Sequence, residues 1–170
     1  EEVAETIEAS TFGTIFHYVM ETIYNRLEGR MIMADILQKI ISDNDYLTEI
    51  IEKAFAVNYF NIDKPKKLTG QNYLTGEIIR KYVQQVLLTD AKKTPFIYIR
   101  SEERIVQDYV LPSGKTISLK GFIDRVDNVK GHIRIIDYKT GKGDLFYRSM
   151  EDLFDKGLKN RPKAVMQVFM

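Results

Sequence analysis

The chain contains no cysteine. That excludes disulfides, a thiol nucleophile, a cysteine-ligated zinc site and an iron–sulfur cluster within this chain. Charge of one sign is also missing. The 25 Lys and Arg nearly balance 24 Asp and Glu, leaving a net charge of +1 and a pI of about 8.1. No global basic surface advertises a polyanionic partner, so any nucleic-acid surface must come from local segregation of charge. No apolar run approaches the length needed to span a bilayer. The acidic start, with Glu1, Glu2 and Glu5, lacks the basic-then-apolar order of a signal peptide. Together with the missing cysteines, these features lead us to expect a cytoplasmic protein with no membrane partner.

What is present is an ordinary globular composition. Hydrophobic residues make up 44% and charged residues 29% of 170, enough for a single domain over 1–170 with a real core. The chain lacks an initiator Met and stops at Met170, inside what reads as a helix starting after Pro162. It therefore reads as one domain of a longer protein, mostly helical over 1–92, with a sheet core and returning helices over 95–170.

Apolar spacing predicts a helix over Phe12–Leu27, with Ile15, Val19, Ile23 and Leu27 on one stripe, Ser10 or Thr11 as cap, and Gly29 at its end. Helices over Met33–Ile41 and Tyr46–Tyr59 follow, separated by Ser42, Asp43 and Asn44. The Lys-rich stretch Asn61–Gly70 reads as a loop. A long helix over Tyr73–Ala91 offers Ile78, Ile79, Tyr82, Val83 and Val86 to the core. After Pro95 the pattern turns to β-formers: Phe96–Leu111, a turn at Pro112–Ser113–Gly114, Ile117–Asp127, a connection at Asn128–Gly131, and His132–Lys139. Helices are expected from Ser149 to near Gly157 and after Pro162. The fold class is therefore α+β: an N-terminal helical segment, a central mixed sheet built on an antiparallel meander, and flanking helices.

The chemistry is concentrated in Gly121–Gly143, GFIDRVDNVKGHIRIIDYKTGKG. Side chains alternate along a strand, so Asp137 and Lys139 share a face with Ile133 and Ile135, which predicts a charged pair at a core edge. If the Asn128–Gly131 connection has an even number of loop residues, Asp124 shares that face too. It then lies beside or diagonal to Asp137, roughly 5–8 Å away. Two carboxylates that close call for a cation or a proton between them. A hard divalent ion such as Mg²⁺ takes oxygen ligands and keeps open positions for water. Lys139 is placed to act on a water or on charge developing at a phosphate.

Asp124 followed by Asp137-Tyr138-Lys139 resembles the PD-(D/E)XK nuclease signature. The flanking GFIDRVD and IIDYKTGK resemble its RecB/AddB-type branch. Gly13-Thr14-Ile15-Phe16-His17 matches the G-x-x-x-H pattern of that branch, and Gln167 the first position of its Q-x-x-x-Y pattern. The resemblance implies a restriction-endonuclease-like core and a Mg²⁺ or Mn²⁺ site formed by His17, Asp124, Asp137 and the Tyr138 backbone carbonyl. It names Asp124, Asp137, Lys139 and Gln167 as catalytic. It further implies a DNA exonuclease acting on single-stranded or duplex ends in recombination or repair, tethered to a helicase or helicase-like subunit or domain. Some members of the branch carry a four-cysteine cluster, which this chain cannot form. No Walker A pattern is present either, so helicase activity would belong to another part or partner.

Taken singly, these residues also have plainer readings. Asp137 and Lys139 fit a salt-bridged strand end, and His17 a satisfied helix histidine. Glu21 is balanced between a solvated face and a site contact. Glu102 and Glu103 read either as approaching the sheet's active face from the first strand or, by preference, as a charged edge or bulge, and Arg125 and Arg134 as surface or ion-paired residues. Lys142, between Gly141 and Gly143, reads equally as a phosphate contact or a surface loop. The alternative function is a catalytically inactive nuclease-fold module that binds DNA or scaffolds proteins.

Overall fold

Apolar residues three and four apart drive the first helix. Ile15, Val19, Met20, Ile23 and Tyr24 are all buried on one side of α1, Ala9–Asn25. Its N-cap is Glu8 rather than Ser10 or Thr11. The Ser10 hydroxyl turns back to the Glu8 carboxylate at 3.4 Å instead of capping the helix. The computed structural model describes residues 7–141 and 149–151, with Asp155 and Gly157. It divides into two compact units, 1–138 and 139–170, and every helix and strand named here belongs to the first. The helices expected near Ser149–Gly157 and after Pro162 fall largely outside the described residues.

Three more helices complete the helical layer: α2 (Ala34–Ser42), α3 (Asn44–Phe55) and α4 (Gly70–Ala91). Asp43 caps α3 by accepting from the Tyr46 backbone N–H at 3.0 Å. A π-helical turn, Ala56–Phe60, extends α3 and ends at Asn61 in the left-handed conformation. On α4 the buried stripe is Gly76, Ile79, Val83, Leu87 and Asp90. Ile78 and Tyr82, expected in the core, are instead 47% and 43% exposed. They lie one residue off the stripe, which rotates them about 100° away from the packed face.

The sheet has four strands in the order β1 (Met31–Ile32), β2 (Phe96–Val110), β3 (Thr116–Val129) and β4 (His132–Ile136). Every described pair is antiparallel, so the mixed sheet expected from sequence is not found among the described residues. The α+β class and the meander are. Val129 pairs with His132, leaving Lys130 and Gly131 as a two-residue turn with φ of 52° and 87°. Both positive angles match the hairpin turn that follows the twist of the strands, and glycine adopts the second without a Cβ clash. The even loop places Asn128 opposite Ile133 and Val126 opposite Ile135.

The described helices pack on the other face, where Phe96, Tyr98, Arg125 and Asp127 are buried. For that reason Ile133 and Ile135, expected at a core edge, are 61% and 63% exposed.

Arg125 is the largest fully buried side chain, which removes its surface reading. Its guanidinium donates to Asp90 at 2.8 Å, to the Tyr138 hydroxyl at 2.7 Å and to Asp127 at 3.1 Å, and lies 4.1 Å from the centre of the Tyr24 ring. Arg134 donates to the same Asp127 oxygen at 2.6 Å, and Tyr24 donates to Asp90 at 2.7 Å. The cluster thus ties α1, α4, β3 and β4 together. Burial alone would disfavour the charge on Arg125, but its bond to Asp90 and the surrounding phenols and carboxylates hold it firmly protonated.

Removing the cation leaves Asp90 and Asp127 buried and unbalanced, so Arg125→Ala should cost about 3–5 kcal/mol of stability, measured as a lowered urea midpoint. Tyr24 supplies a pH signature. Burial, reinforced by Asp90 and opposed by Arg125, raises its phenol well above the ordinary value. A group whose folded pKa is raised contributes stability that is complete below the unfolded value of about 10 and is lost as pH rises above it. The wild-type urea midpoint should therefore fall more steeply above pH ~10 than that of Tyr24→Phe.

Candidate metal centre

Four elements bring the site together. His17 lies one residue past the buried Phe16 on α1, at the margin of the packed stripe, with its side chain 27% exposed. On β2, Ser101 pairs with Arg125 and Glu103 with Ile123, so Glu102 stands opposite Asp124 of β3. On the far side of β3 the last ladder pair is Arg125 with Ile136. Asp137 follows Ile136, one residue past the end of that ladder.

Ligand atoms of His17, Glu102 and Asp124 all lie within 4.8 Å of one another. Nδ1 of His17 is 3.5 Å from Glu102 Oε1 and 3.5 Å from Asp124 Oδ1. Nε2 is 3.2 Å from the Tyr138 carbonyl oxygen. A carbonyl only accepts, so Nε2 carries the proton. In the neutral ring Nδ1 then presents a lone pair toward two carboxylates. Three electron-rich atoms facing one another require a shared cation or a proton. The set, one imidazole nitrogen and two carboxylates, suits a hard or borderline divalent ion such as Mg²⁺ or Mn²⁺. A metal-binding histidine commonly donates its other ring N–H to a backbone carbonyl, which sets its tautomer, and His17 does so here.

Asp124 is similarly oriented. Its Oδ2 accepts from the Tyr138 backbone N–H at 2.5 Å, turning Oδ1 toward His17, and its side chain is only 10% exposed. Phe16 and Tyr138 meet edge to face at 5.6 Å, and His17 and Tyr138 at 5.9 Å. Glu102 has φ of 50°, an angle that costs a non-glycine residue about 1–2 kcal/mol. Such strain persists where the surroundings over-determine it, most often at functional sites. The Tyr98 hydroxyl supports this bend, lying 2.5 Å from Asn25 Oδ1 on α1 and 3.0 Å from Ser101 Oγ.

Among the residues singled out from sequence, His17, Asp124 and the Tyr138 main chain come together. The carbonyl expected as a metal ligand meets the ring nitrogen pointing away from the carboxylates. Asp137 is exposed and is not one of the three clustered residues. Lys139 opens the second unit. Lys142 and Gln167 lie outside the described residues, as does the side chain of Glu103. Glu21 accepts from Asn25 one turn along its own helix at 3.4 Å. Glu102 is the member for which sequence reasoning preferred a charged edge or bulge over an approach to the active face from the first strand. Its available signal was a doubled acid at mid-strand, where the ladder has to bend to admit it.

The PD-(D/E)XK nuclease superfamily matches residues 1–153, and the chain belongs to that superfamily. It is similar to an ATP-dependent helicase/deoxyribonuclease subunit of Clostridium tetani (strain Massachusetts / E88), at 25% identity over 148 residues. The match covers 81% of this chain and 13% of that relative, so the chain spans a small part of the relative's length. No helix among the described residues is long and apolar enough to cross a membrane.

Glu102→Gly separates ligand from fold. It removes a carboxylate and also relieves the positive φ, a gain that offsets the roughly 0.5–1 kcal/mol entropic cost of glycine. Isothermal titration should show weakened Mn²⁺ binding while the urea midpoint holds or rises. Wild-type Mn²⁺ affinity in this variant would remove Glu102 from the site.

Proposed function

We propose that the protein is a Mg²⁺- or Mn²⁺-dependent deoxyribonuclease that hydrolyses phosphodiester bonds at DNA ends. The convergence of His17, Glu102 and Asp124 on one point, in a chain of the PD-(D/E)XK superfamily, carries this reading. His17, Glu102, Asp124 and Asp137 hold the cation, and the Tyr138 main chain orients His17 and Asp124. A divalent cation held there supplies Lewis-acid polarisation of the phosphate and counter-charge for its oxygens.

The remaining roles fall to side chains of the chain itself. Protonated Lys139 has no lone pair for a metal, so its part is electrostatic: it orients the attacking water or stabilises the negative charge that builds on the phosphate. Gln167 positions Lys139, water or substrate. The relative's name joins a helicase to a deoxyribonuclease, which supports an exonuclease role in recombination or repair end-processing beside a helicase partner or domain. The location that fits this role is the cytoplasm.

Lys139→Ala should abolish Mn²⁺-dependent cleavage of linear DNA while leaving Mn²⁺ affinity nearly intact, because it removes transition-state stabilisation and no ligand. Asp137→Ala should lose both. The assay is cleavage of end-labelled single- and double-stranded DNA, paired with isothermal titration of each variant. Parental cleavage by Lys139→Ala would refute its assigned role. A parent that binds DNA but cleaves none, with or without Mn²⁺, would instead favour a catalytically inactive binding module.

A further inference from the structure

Tyr138 meets the candidate metal centre through its main chain and the buried ion cluster through its side chain. Its N–H holds Asp124 Oδ2 at 2.5 Å, and its carbonyl accepts from His17 Nε2 at 3.2 Å. Its hydroxyl accepts from Arg125 Nη1 at 2.7 Å. Arg125 is itself fully buried and clamped by Asp90 and Asp127. Arg125 also follows Asp124 directly in sequence. One guanidinium therefore anchors the backbone beneath one ligand and the ring tip of the residue that orients two.

We infer that the Arg125–Tyr138 hydroxyl bond is a positioning device for the metal centre, setting the Tyr138 main chain against His17 and Asp124. This rests on the metal reading of the site. Tyr138 lies two residues past the end of β4, beyond the last described ladder pair. The edge-to-face packing on Phe16 and His17 limits the ring's tilt, and the hydroxyl bond limits its reach. Without that bond the ring can slide along Phe16. The main-chain N–H and carbonyl then lose their register with Asp124 and His17 together. Outer partners of this kind typically govern metal affinity by about 10–100-fold.

A matched pair of variants tests this. Tyr138→Phe removes the hydroxyl bond and keeps the ring. Tyr24→Phe removes an equally buried hydroxyl from the same cluster, the one that donates to Asp90 at 2.7 Å, but Tyr24 touches neither His17 nor Asp124 in any described contact. Both should lower the thermal midpoint. Only Tyr138→Phe should weaken Mn²⁺ binding, by about tenfold or more, while Tyr24→Phe stays within about twofold of the parent. Isothermal titration and Mn²⁺ electron paramagnetic resonance provide readouts that do not depend on activity. Circular dichroism confirms that both variants fold.

Parental Mn²⁺ affinity in Tyr138→Phe, or equal weakening in both variants, overturns the positioning role alone. Absence of Mn²⁺ binding by the parent overturns the metal reading and this inference with it. Should Tyr138→Phe not fold, Arg125→Lys carries the test, since lysine keeps the charge but cannot bridge three partners with a planar fork. It should bind Mn²⁺ at least tenfold more weakly than Tyr24→Phe, and equal affinity would overturn the role.

Discussion

The buried guanidinium of Arg125 is the constraint on which the rest depends. A charge with no exposed surface is tolerable only when the elements around it supply compensating partners. Asp90 comes from the end of α4, Asp127 from β3 itself, Tyr24 from α1, and the Tyr138 hydroxyl from just beyond β4. None can shift far without stranding a charge. The helical layer and the sheet are thereby locked in one registry at the level where His17 and Asp124 must meet.

The cluster and the candidate metal centre share a short stretch of β3. Alternation separates their members: Arg125 reaches Tyr24 and Asp90, while Asp124 between Ile123 and Arg125 reaches His17. The cluster supplies rigidity through paired opposite charges. The candidate metal centre gathers Glu102, Asp124 and the His17 ring, with ligand atoms within 4.8 Å of one another. The two sets sit one residue apart in sequence, and Tyr138 touches both.

Much of this was legible in the order of residues. The stripe of Ile15, Val19 and Ile23 on α1, with Leu27 just past its end, is buried as its spacing predicts. The strands begin and end within a few residues of their expected positions. Asn128–Gly131 closes the hairpin with an even, two-residue turn, Lys130 and Gly131. Less legible was which side of an element would be covered. Ile78 and Tyr82 were expected inside because apolar residues are dense along α4, but packing against α2 and α3 selects a stripe one residue away. Ile133 and Ile135 were expected at a core edge because they alternate correctly, yet the described helices chose the other face.

By itself, the sequence determined the α+β class, the meander, the order of His17, Asp124, Asp137 and Lys139, and the absence of any cysteine chemistry. These follow from local periodicity and residue type, which act over a few residues. Only the tertiary structure decided that Arg125 is internal, that Asp90 on a distant helix is its counter-ion, and that Glu102 joins His17 and Asp124. Those outcomes depend on which strands become neighbours and where one ladder admits a residue with positive φ. Such contacts join positions 22 to 121 residues apart in the chain, 22 between Glu102 and Asp124, 35 between Asp90 and Arg125 and 121 between His17 and Tyr138. No local pattern records a partner that far away.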